Sequence, residues 1–188
     1  RYDILLRMAE ISASKLSDPD RAEGLMLEAV KVHGSGRAAR VELLKLYRSQ
    51  GRVMDAIRAL ESIADIEEDL DQKIEFYKSA SQLAEENSDH ALAVAILNQI
   101  LDLDLTRFEH FASIDRILTE CRDWMSQEQN YKRMLERLKN SKGMDEIIFK
   151  LYHGLGEIYR SRLDDDYMAS EAFELALKIR PENPNTLE

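Results

Sequence analysis

Four histidines and one cysteine are the side chains of this sequence best suited to metal binding or nucleophilic chemistry. The histidines are His33, His90, His110 and His153, and no two have the spacing of a shared metal site. His110 and Asp115 are five residues apart, so they do not share a helix face. Cys121 lacks a CxxC partner and an adjacent histidine. These side chains therefore predict no metal site, no cofactor and no catalytic thiol.

Acidic and glycine-rich segments are the other places where chemistry could occur. The run Asp164-Asp165-Asp166 resembles a calcium loop in charge only, because it lacks the loop spacing and the distal glutamate. We predict that it is a solvated turn that caps a helix. Gly34-Ser35-Gly36 is predicted to be a connection between helices. The sequence contains no GxGxxG, GxxxxGK[ST] or GxSxG motif, and we predict that the chain is not an enzyme.

The composition indicates a helical chain. Apolar residues make up 44% of the 188 residues, which is enough for a core, while Gly and Pro together number only 7 + 3 = 10. A formal net charge of −10 disfavours binding to nucleic acid and to anionic membranes. No apolar run approaches the roughly 18–20 residues of a membrane span, so membrane insertion is not expected. The N-terminus carries no secretory signal, but the chain does not begin with Met, so a removed signal is an alternative.

A repeated helical pattern is clearest near the C-terminus. One helical run carries Tyr152-x2-Leu155-Gly156-x2-Tyr159, and the next carries Ala169-x3-Phe173-x2-Ala176 before Pro181. This pattern resembles the tetratricopeptide repeat, a helix-turn-helix of about 34 residues, with Tyr in place of Trp and one extra residue in the turn. Gly156 is expected to let the second helix approach closely, and Tyr159 and Phe173 to fill the space between the helices.

The same unit recurs four times upstream. The positions aligned with Leu155 are Met8, Leu43, Ser79 and Ile114, at steps of 35, 36, 35 and 41 residues. The third copy is aligned through Ser79, Ala80 and Leu83. We call the two helices of each repeat A and B. Repeats one, three and five are predicted to have longer turns than repeats two and four, a rhythm similar to that of long bacterial arrays of this family.

Capping signals accompany these repeats. Asp18-Pro19 is predicted to begin a B helix, and Thr106-x2-Glu109 predicts a capping box at the start of the fourth repeat. Gly51 and Gly143 are predicted to follow helix ends.

The fold is therefore predicted to be all-α, a right-handed α-solenoid of five tetratricopeptide-like repeats over residues 1–188. The repeats cover approximately residues 1–34, 35–69, 70–104, 105–141 and 142–181, and residues 182–188 form a tail or the beginning of a further repeat. We expect the chain to be part of a longer array, although an artificial Leu187-Glu188 ending is the alternative.

The resemblance implies that the A helices line a groove that holds a peptide. The residues expected on this face are Lys45, Arg48, Arg116, Lys150, His153, Glu157 and Arg160, most of them basic. In repeats one and three the expected residues are Leu6, Glu10, Tyr77 and Ser81. A basic stripe is a site for an acidic peptide, and ordinary solvated helix surface is the alternative. The face carries no Asn, so the carboxylate clamp of the chaperone-binding members is not predicted.

The predicted function is protein–protein interaction, as a scaffold or adaptor segment that binds a partner peptide or domain, acidic if the basic stripe is used. Two alternatives remain open: a regulatory receptor for a small signalling peptide, and an accessory segment of a larger enzyme. The sequence does not fix the partner, the oligomeric state or the compartment, for which the cytoplasm is slightly favoured.

Overall fold

The computed structural model describes residues 1–179, and within them ten α-helices follow one another without a strand. The helices are α1 (Tyr2–Ser14), α2 (Pro19–Val32), α3 (Arg37–Ser49), α4 (Val53–Ile66), α5 (Leu70–Glu86), α6 (His90–Leu103), α7 (Phe108–Cys121), α8 (Trp124–Leu138), α9 (Asp145–Ile158) and α10 (Asp166–Ile179). A π-helical turn, Tyr159–Leu163, follows α9. The all-α prediction is confirmed, while Pro181 and the segment 182–188 lie outside the described residues.

The helices form five hairpins in two compact units, Arg1–Asp104 and Leu105–Glu188. The first unit contains the hairpins α1–α2, α3–α4 and α5–α6, and the second contains α7–α8 and α9–α10. Each hairpin therefore has one A helix and one B helix. One continuous right-handed solenoid over residues 1–188 stays a prediction.

Small residues lie at the centre of most hairpins. Ala9 and Ala22 are fully buried in the first hairpin, and Ala80 and Ala93 in the third. In the last hairpin, a Cβ atom added to Gly156 would lie 2.5 Å from Cε1 of Phe173. This distance is shorter than any normal carbon–carbon contact, so the predicted close approach at Gly156 is confirmed.

One backbone hydrogen bond recurs in every A-to-B turn and gives the structural alignment of the repeats. The amide of the residue that precedes each B helix donates to a carbonyl near the end of the A helix. The five donor–acceptor pairs are Asp18 to Ser12, Arg52 to Tyr47, Asp89 to Ala84, Asp123 to Leu118 and Asp165 to Tyr159. Ala84, and not Leu83, is thus the equivalent of Tyr159, so the sequence alignment of the third repeat was wrong by one residue.

The same hydrogen bonds correct the predicted turn rhythm. The bonded residues are six apart in repeats one and five but five apart in repeats two, three and four. The third repeat therefore has the shorter turn. In the fifth repeat the extra residue is accommodated by the π-helical turn, since a single insertion into a helix widens one turn without changing the turns on either side.

Aspartates cap most of the B helices. The Asp18 carboxylate accepts a hydrogen bond from the Arg21 amide at 3.0 Å, as predicted, and Asp165 caps α10 by accepting from the Met168 amide at 2.9 Å. Gly51 follows α3 with a left-handed φ of 68°. Helix α7 begins one residue later than the predicted capping box requires, because its N-cap is Arg107, which makes no side-chain cap. Gly143 also has a positive φ, 75°, but it lies in the α8–α9 connection and not directly after a helix.

Candidate functional site

The six predicted basic and histidine residues lie on A helices and on the π-helical turn. Lys45 and Arg48 belong to α3 in the first unit, whereas the other four, Arg116, Lys150, His153 and Arg160, belong to the second unit. We call this side of the A helices the groove face. Five of the six side chains are exposed and His153 is half-buried. Because the residues fall in two separately described units, one uninterrupted stripe stays a prediction.

Most of the cations on the groove face are paired with a glutamate of their own helix or of the turn that follows it. The pairs are Lys45–Glu42 at 2.7 Å, Arg116–Glu120 at 3.1 Å, Lys150–Glu146 at 3.4 Å and Arg160–Glu157 at 2.8 Å. Arg48 has no ion-pair partner within residues 1–179. Among the six predicted residues, the face therefore presents local pairs of opposite charge together with the unpaired guanidinium group of Arg48.

His153 is part of an aromatic cluster in the second unit. Its ring centroid lies 6.0 Å from that of Phe149 and 5.5 Å from that of Phe173. The guanidinium carbon of Arg160 lies 5.6 Å from the Phe173 ring centroid. A cation over an aromatic face is attracted by the ring quadrupole, so Arg160 is held against Phe173, the ring that His153 also contacts.

A groove opens on the groove face of the first unit, between α1 and α3. Its volume is about 720 Å³, and its apolar lining comes from Leu6, Ala13, Met26 and Ala38. Its charged lining comes from Asp3, Arg7, Glu10 and Glu42. Leu6 and Glu10 are the two residues predicted for this face in the first repeat, and both line the groove.

The predicted face of the third repeat was wrong. Tyr77 and Ser81 are buried, with 8% and 3% of their surfaces exposed. The Tyr77 hydroxyl donates to the Asp65 carboxylate of α4 at 2.7 Å, and burial followed by this hydrogen bond raises the pKa of Tyr77. The cause is the one-residue shift in the alignment of α5, because Ser81, and not Ala80, is the equivalent of Gly156.

A tyrosine–glutamate contact between neighbouring repeats occurs in the first unit. The hydroxyl of Tyr47 donates to the Glu23 carboxylate of α2 at 3.0 Å, and Arg52 donates to the same carboxylate. The Arg52 guanidinium carbon also lies 4.5 Å from the Tyr47 ring centroid. The bond from Arg52 holds the pKa of Glu23 below its usual range, while burial and the Glu23 carboxylate raise the pKa of Tyr47 to about 12. This contact joins the first and second hairpins.

The second unit contains the same contact at equivalent positions. The Tyr159 hydroxyl donates to the Glu128 carboxylate of α8 at 2.6 Å, and Lys132 pairs with that carboxylate at 2.5 Å. Tyr159 is the structural equivalent of Tyr47, and both glutamates are five residues beyond the residue that caps their B helix. Sequence analysis missed both contacts, because a tyrosine at the end of an A helix does not reveal which glutamate it reaches.

The fourth repeat has a polar centre where other repeats have small residues. Gln127 of α8 donates to the Asp115 carboxylate of α7 at 2.7 Å and to the Thr119 hydroxyl at 2.9 Å. Tyr131 packs nearby, and burial together with Asp115 raises the pKa of Tyr131. Long polar side chains thus bridge α7 and α8 across the space that alanine and glycine close elsewhere.

A second cavity of about 720 Å³ lies within the second unit, among α8, α9 and α10. Its apolar lining includes Leu135, Ile148, Tyr152 and Leu175. Its charged lining is balanced between three lysines and three acidic residues, Lys132, Lys139 and Lys178 against Glu136, Asp145 and Glu171. The cavity is therefore apolar with a mixed rim and does not select a ligand by charge.

Among residues 1–179, no three His, Cys, Asp or Glu side chains are grouped to hold a metal ion. Cys121 is a free, exposed thiol at the end of α7. None of the described helices combines the length and the apolar character that a bilayer crossing requires.

Comparison with known proteins shows similarity at the level of structure only. No family model matches the sequence, and no curated protein matches it. Among solved structures, the MamA protein is 15% identical and has a TM-score of 0.43, with 100% of this chain and 96% of that chain covered. A tetratricopeptide repeat protein from Parabacteroides merdae is 17% identical with a TM-score of 0.42, covering 98% and 69%. Tetratricopeptide-like repeats of a kinesin light chain from Podosopora anserina are 14% identical with a TM-score of 0.43, covering 97% and 96%.

The chain itself has a tetratricopeptide-like, all-α repeat fold. This assignment rests on the five helical hairpins, the recurring turn hydrogen bond and the close approach at Gly156.

Proposed function

We propose that the chain is a protein-binding scaffold and that the groove faces of its A helices bind a segment of a partner protein. The observation that carries the proposal is that this face of the A helices is open to solvent: five of the six predicted basic and histidine residues are exposed. A groove that is lined in part by Leu6 and Glu10 also opens on this face between α1 and α3. A groove of this size accommodates several side chains of a peptide.

The basic residues of the groove face are proposed to bind carboxylates of the partner. Exposed ion pairs within a helix stabilise by only about 0.3–0.5 kcal/mol, so a ligand carboxylate can displace the glutamate of such a pair at little cost. Arg48 has no paired glutamate that a ligand carboxylate would have to displace. In the second unit, Arg160 is held over Phe173, the ring that His153 also contacts, which gives a ligand an aromatic surface next to a cation. Lys45, Arg116 and Lys150 would add weaker contacts.

Charge reversal on the groove face tests the proposal. The variant combines Arg48→Glu, Arg116→Glu and Arg160→Glu, and its control combines Arg58→Glu, Arg133→Glu and Lys178→Glu on B helices. The control changes the net charge by the same amount. Each protein is used to capture partners from lysate at low and high salt, and partners are quantified by mass spectrometry after both variants are shown to be folded by circular dichroism.

We expect the groove-face variant to lose partners that the wild type and the control retain. The loss should be largest at low salt, since screening weakens exposed charge contacts. If both variants recover the same partners in the same amounts as the wild type, the groove face is not the binding surface.

A further inference from the structure

The groove between α1 and α3 has a charge opposite to that predicted for the groove face as a whole. Three carboxylates line it, those of Asp3, Glu10 and Glu42, against one guanidinium group, that of Arg7. We propose that this groove binds a basic amphipathic peptide segment, one with large aliphatic side chains beside lysine or arginine. The inference rests on the proposed scaffold function and assigns a ligand class to one part of it.

The free carboxylates support a basic ligand. In the part of the chain that the structure describes, neither Asp3 nor Glu10 forms an ion pair, so their charges are not neutralised by the protein. Glu42 differs, because Lys45 lies 2.7 Å from it. A cation entering the groove would therefore meet two unpaired carboxylates, and a ligand carboxylate would be repelled by both.

The position of these residues explains why this part of the groove face is acidic whereas the second repeat is basic. Glu10 and Ala13 of α1 occupy the positions that Lys45 and Arg48 occupy in α3, as the shared turn hydrogen bond shows. The first repeat thus replaces two cations by one anion and one small residue. The small Ala13 leaves open the space into which a longer side chain would project.

The apolar lining supports an aliphatic side chain on the ligand. The apolar surface of the groove comes from Leu6, Ala13, Met26 and Ala38. Met26 is only 5% exposed, so it is held in the helix packing and forms a fixed floor of the groove. Apolar surface that is removed from water contributes roughly 25 cal/mol per Å², which makes burial of an aliphatic side chain the main source of affinity. The carboxylates then select which apolar segment binds.

The test uses three short labelled peptides with the intact chain: one of leucine and lysine, one of leucine and glutamate, and one of serine and lysine. Binding is measured by fluorescence anisotropy. We expect the leucine–lysine peptide to bind and the other two to bind at least tenfold more weakly, because each lacks either the charge or the apolar side chain. Equal binding of the leucine–glutamate peptide would overturn the proposal.

Substitution of the two free carboxylates locates the site. Asp3→Asn with Glu10→Gln should raise the Kd of the leucine–lysine peptide about three- to tenfold, as expected for two exposed ion pairs. The control, Asp20→Asn with Glu68→Gln, removes the same charge from exposed positions outside the groove and should leave the Kd within about twofold. Equal weakening in both double variants would show attraction to the net charge alone and would overturn the proposal.

A third variant tests the groove without changing charge. Ala38→Trp adds a ring at an exposed lining position, and we expect it to abolish binding of the leucine–lysine peptide while circular dichroism stays unchanged. Retained binding would overturn the proposal. The outcome is independent of the lysate experiment: that experiment tests cations on α3, α7 and the turn after α9, whereas this one tests anions on α1 with a defined probe.

Discussion

At the scale of single residues, Gly156 tests the packing of the last hairpin. Gly156→Leu should lower the free energy of unfolding by about 1–3 kcal/mol, because any Cβ atom there collides with the Phe173 ring. The control is Gly24→Ala in the middle of α2, where no atom lies within 4 Å of the added Cβ atom. This control should stabilise the chain by about 0.5–1 kcal/mol, and urea unfolding measures both. Equal stability of the Leu variant and the wild type would contradict the packing.

Glu23 tests the contact between the first two hairpins through its pH dependence. The hydrogen bond from Arg52 is the main cause that lowers the pKa of Glu23 in the folded state. The ionised carboxylate therefore stabilises the fold fully above the unfolded pKa of about 4.3, and this stabilisation is lost as the pH falls through the folded pKa. Glu23→Gln should therefore cost about 1 kcal/mol at neutral pH, and this cost should shrink as the pH falls below about 4.3 and through the lowered folded pKa. Urea unfolding across this range measures the difference.

The control for Glu23 is Glu68→Gln, an exposed position in the α4–α5 connection. We expect this control to match the wild type at every pH. A cost of Glu23→Gln that persists unchanged in acid would show that packing, and not the ionised carboxylate, is responsible.

Individual contacts were predictable to different degrees. The ion pairs of Lys45, Arg116, Lys150 and Arg160 were predictable from spacing alone, because each cation has a glutamate three or four residues away. The sequence analysis considered the cations without these glutamates and therefore did not predict the pairs. The tyrosine–glutamate contacts were not readable, because 24 residues separate Glu23 from Tyr47 and 31 separate Glu128 from Tyr159. Such a contact depends on how two hairpins pack, which local spacing does not encode.

At the scale of elements, the π-helical turn accommodates one inserted residue at the end of the A helix. Deletion of Ser161 should give the turn after α9 the geometry of repeats two to four, in which the hydrogen-bonded residues are five apart. We expect the free energy of unfolding to fall by at most about 1 kcal/mol. Deletion of Gly154, inside α9, should be far more damaging, since it rotates Leu151 away from the face of Leu155. Thermal unfolding by circular dichroism compares the two, and equal damage would contradict this account.

The elements themselves were largely predictable, and the failures have identifiable causes. Turn positions followed from Asp18-Pro19 and Gly51, where a cap and a left-handed residue are needed. The sequence alignment of the third repeat was wrong because Ser79, Ala80 and Ser81 are all small. Shifting the alignment by one residue therefore leaves the pattern of small residues almost unchanged. In α7 the capping box was displaced because the chain forms a tight turn, with the Phe108 amide bonded to the Thr106 carbonyl.

At the scale of the whole molecule, the division into two compact units predicts independent folding of the first. The fragment Arg1–Asp104 contains three complete hairpins with their own buried cores, and stacked repeats derive stability from nearest neighbours. We expect this fragment to give a helical circular dichroism spectrum and a cooperative thermal transition. A fragment that is unfolded at neutral pH would show that the units stabilise each other.

The buried tyrosine hydroxyls set an alkaline limit to the stability of the molecule. Burial raises the pKa of Tyr47, Tyr77, Tyr131 and Tyr159, and each hydroxyl lies against a carboxylate that disfavours its ionisation. A raised folded pKa means that stability is complete below the unfolded pKa of about 10 and declines as the pH rises beyond it. Strong base should therefore break these tyrosine–carboxylate contacts, and with them the packing between helices and between hairpins, in one transition. Tyrosinate absorbance should increase in the same pH range in which the helical circular dichroism signal is lost.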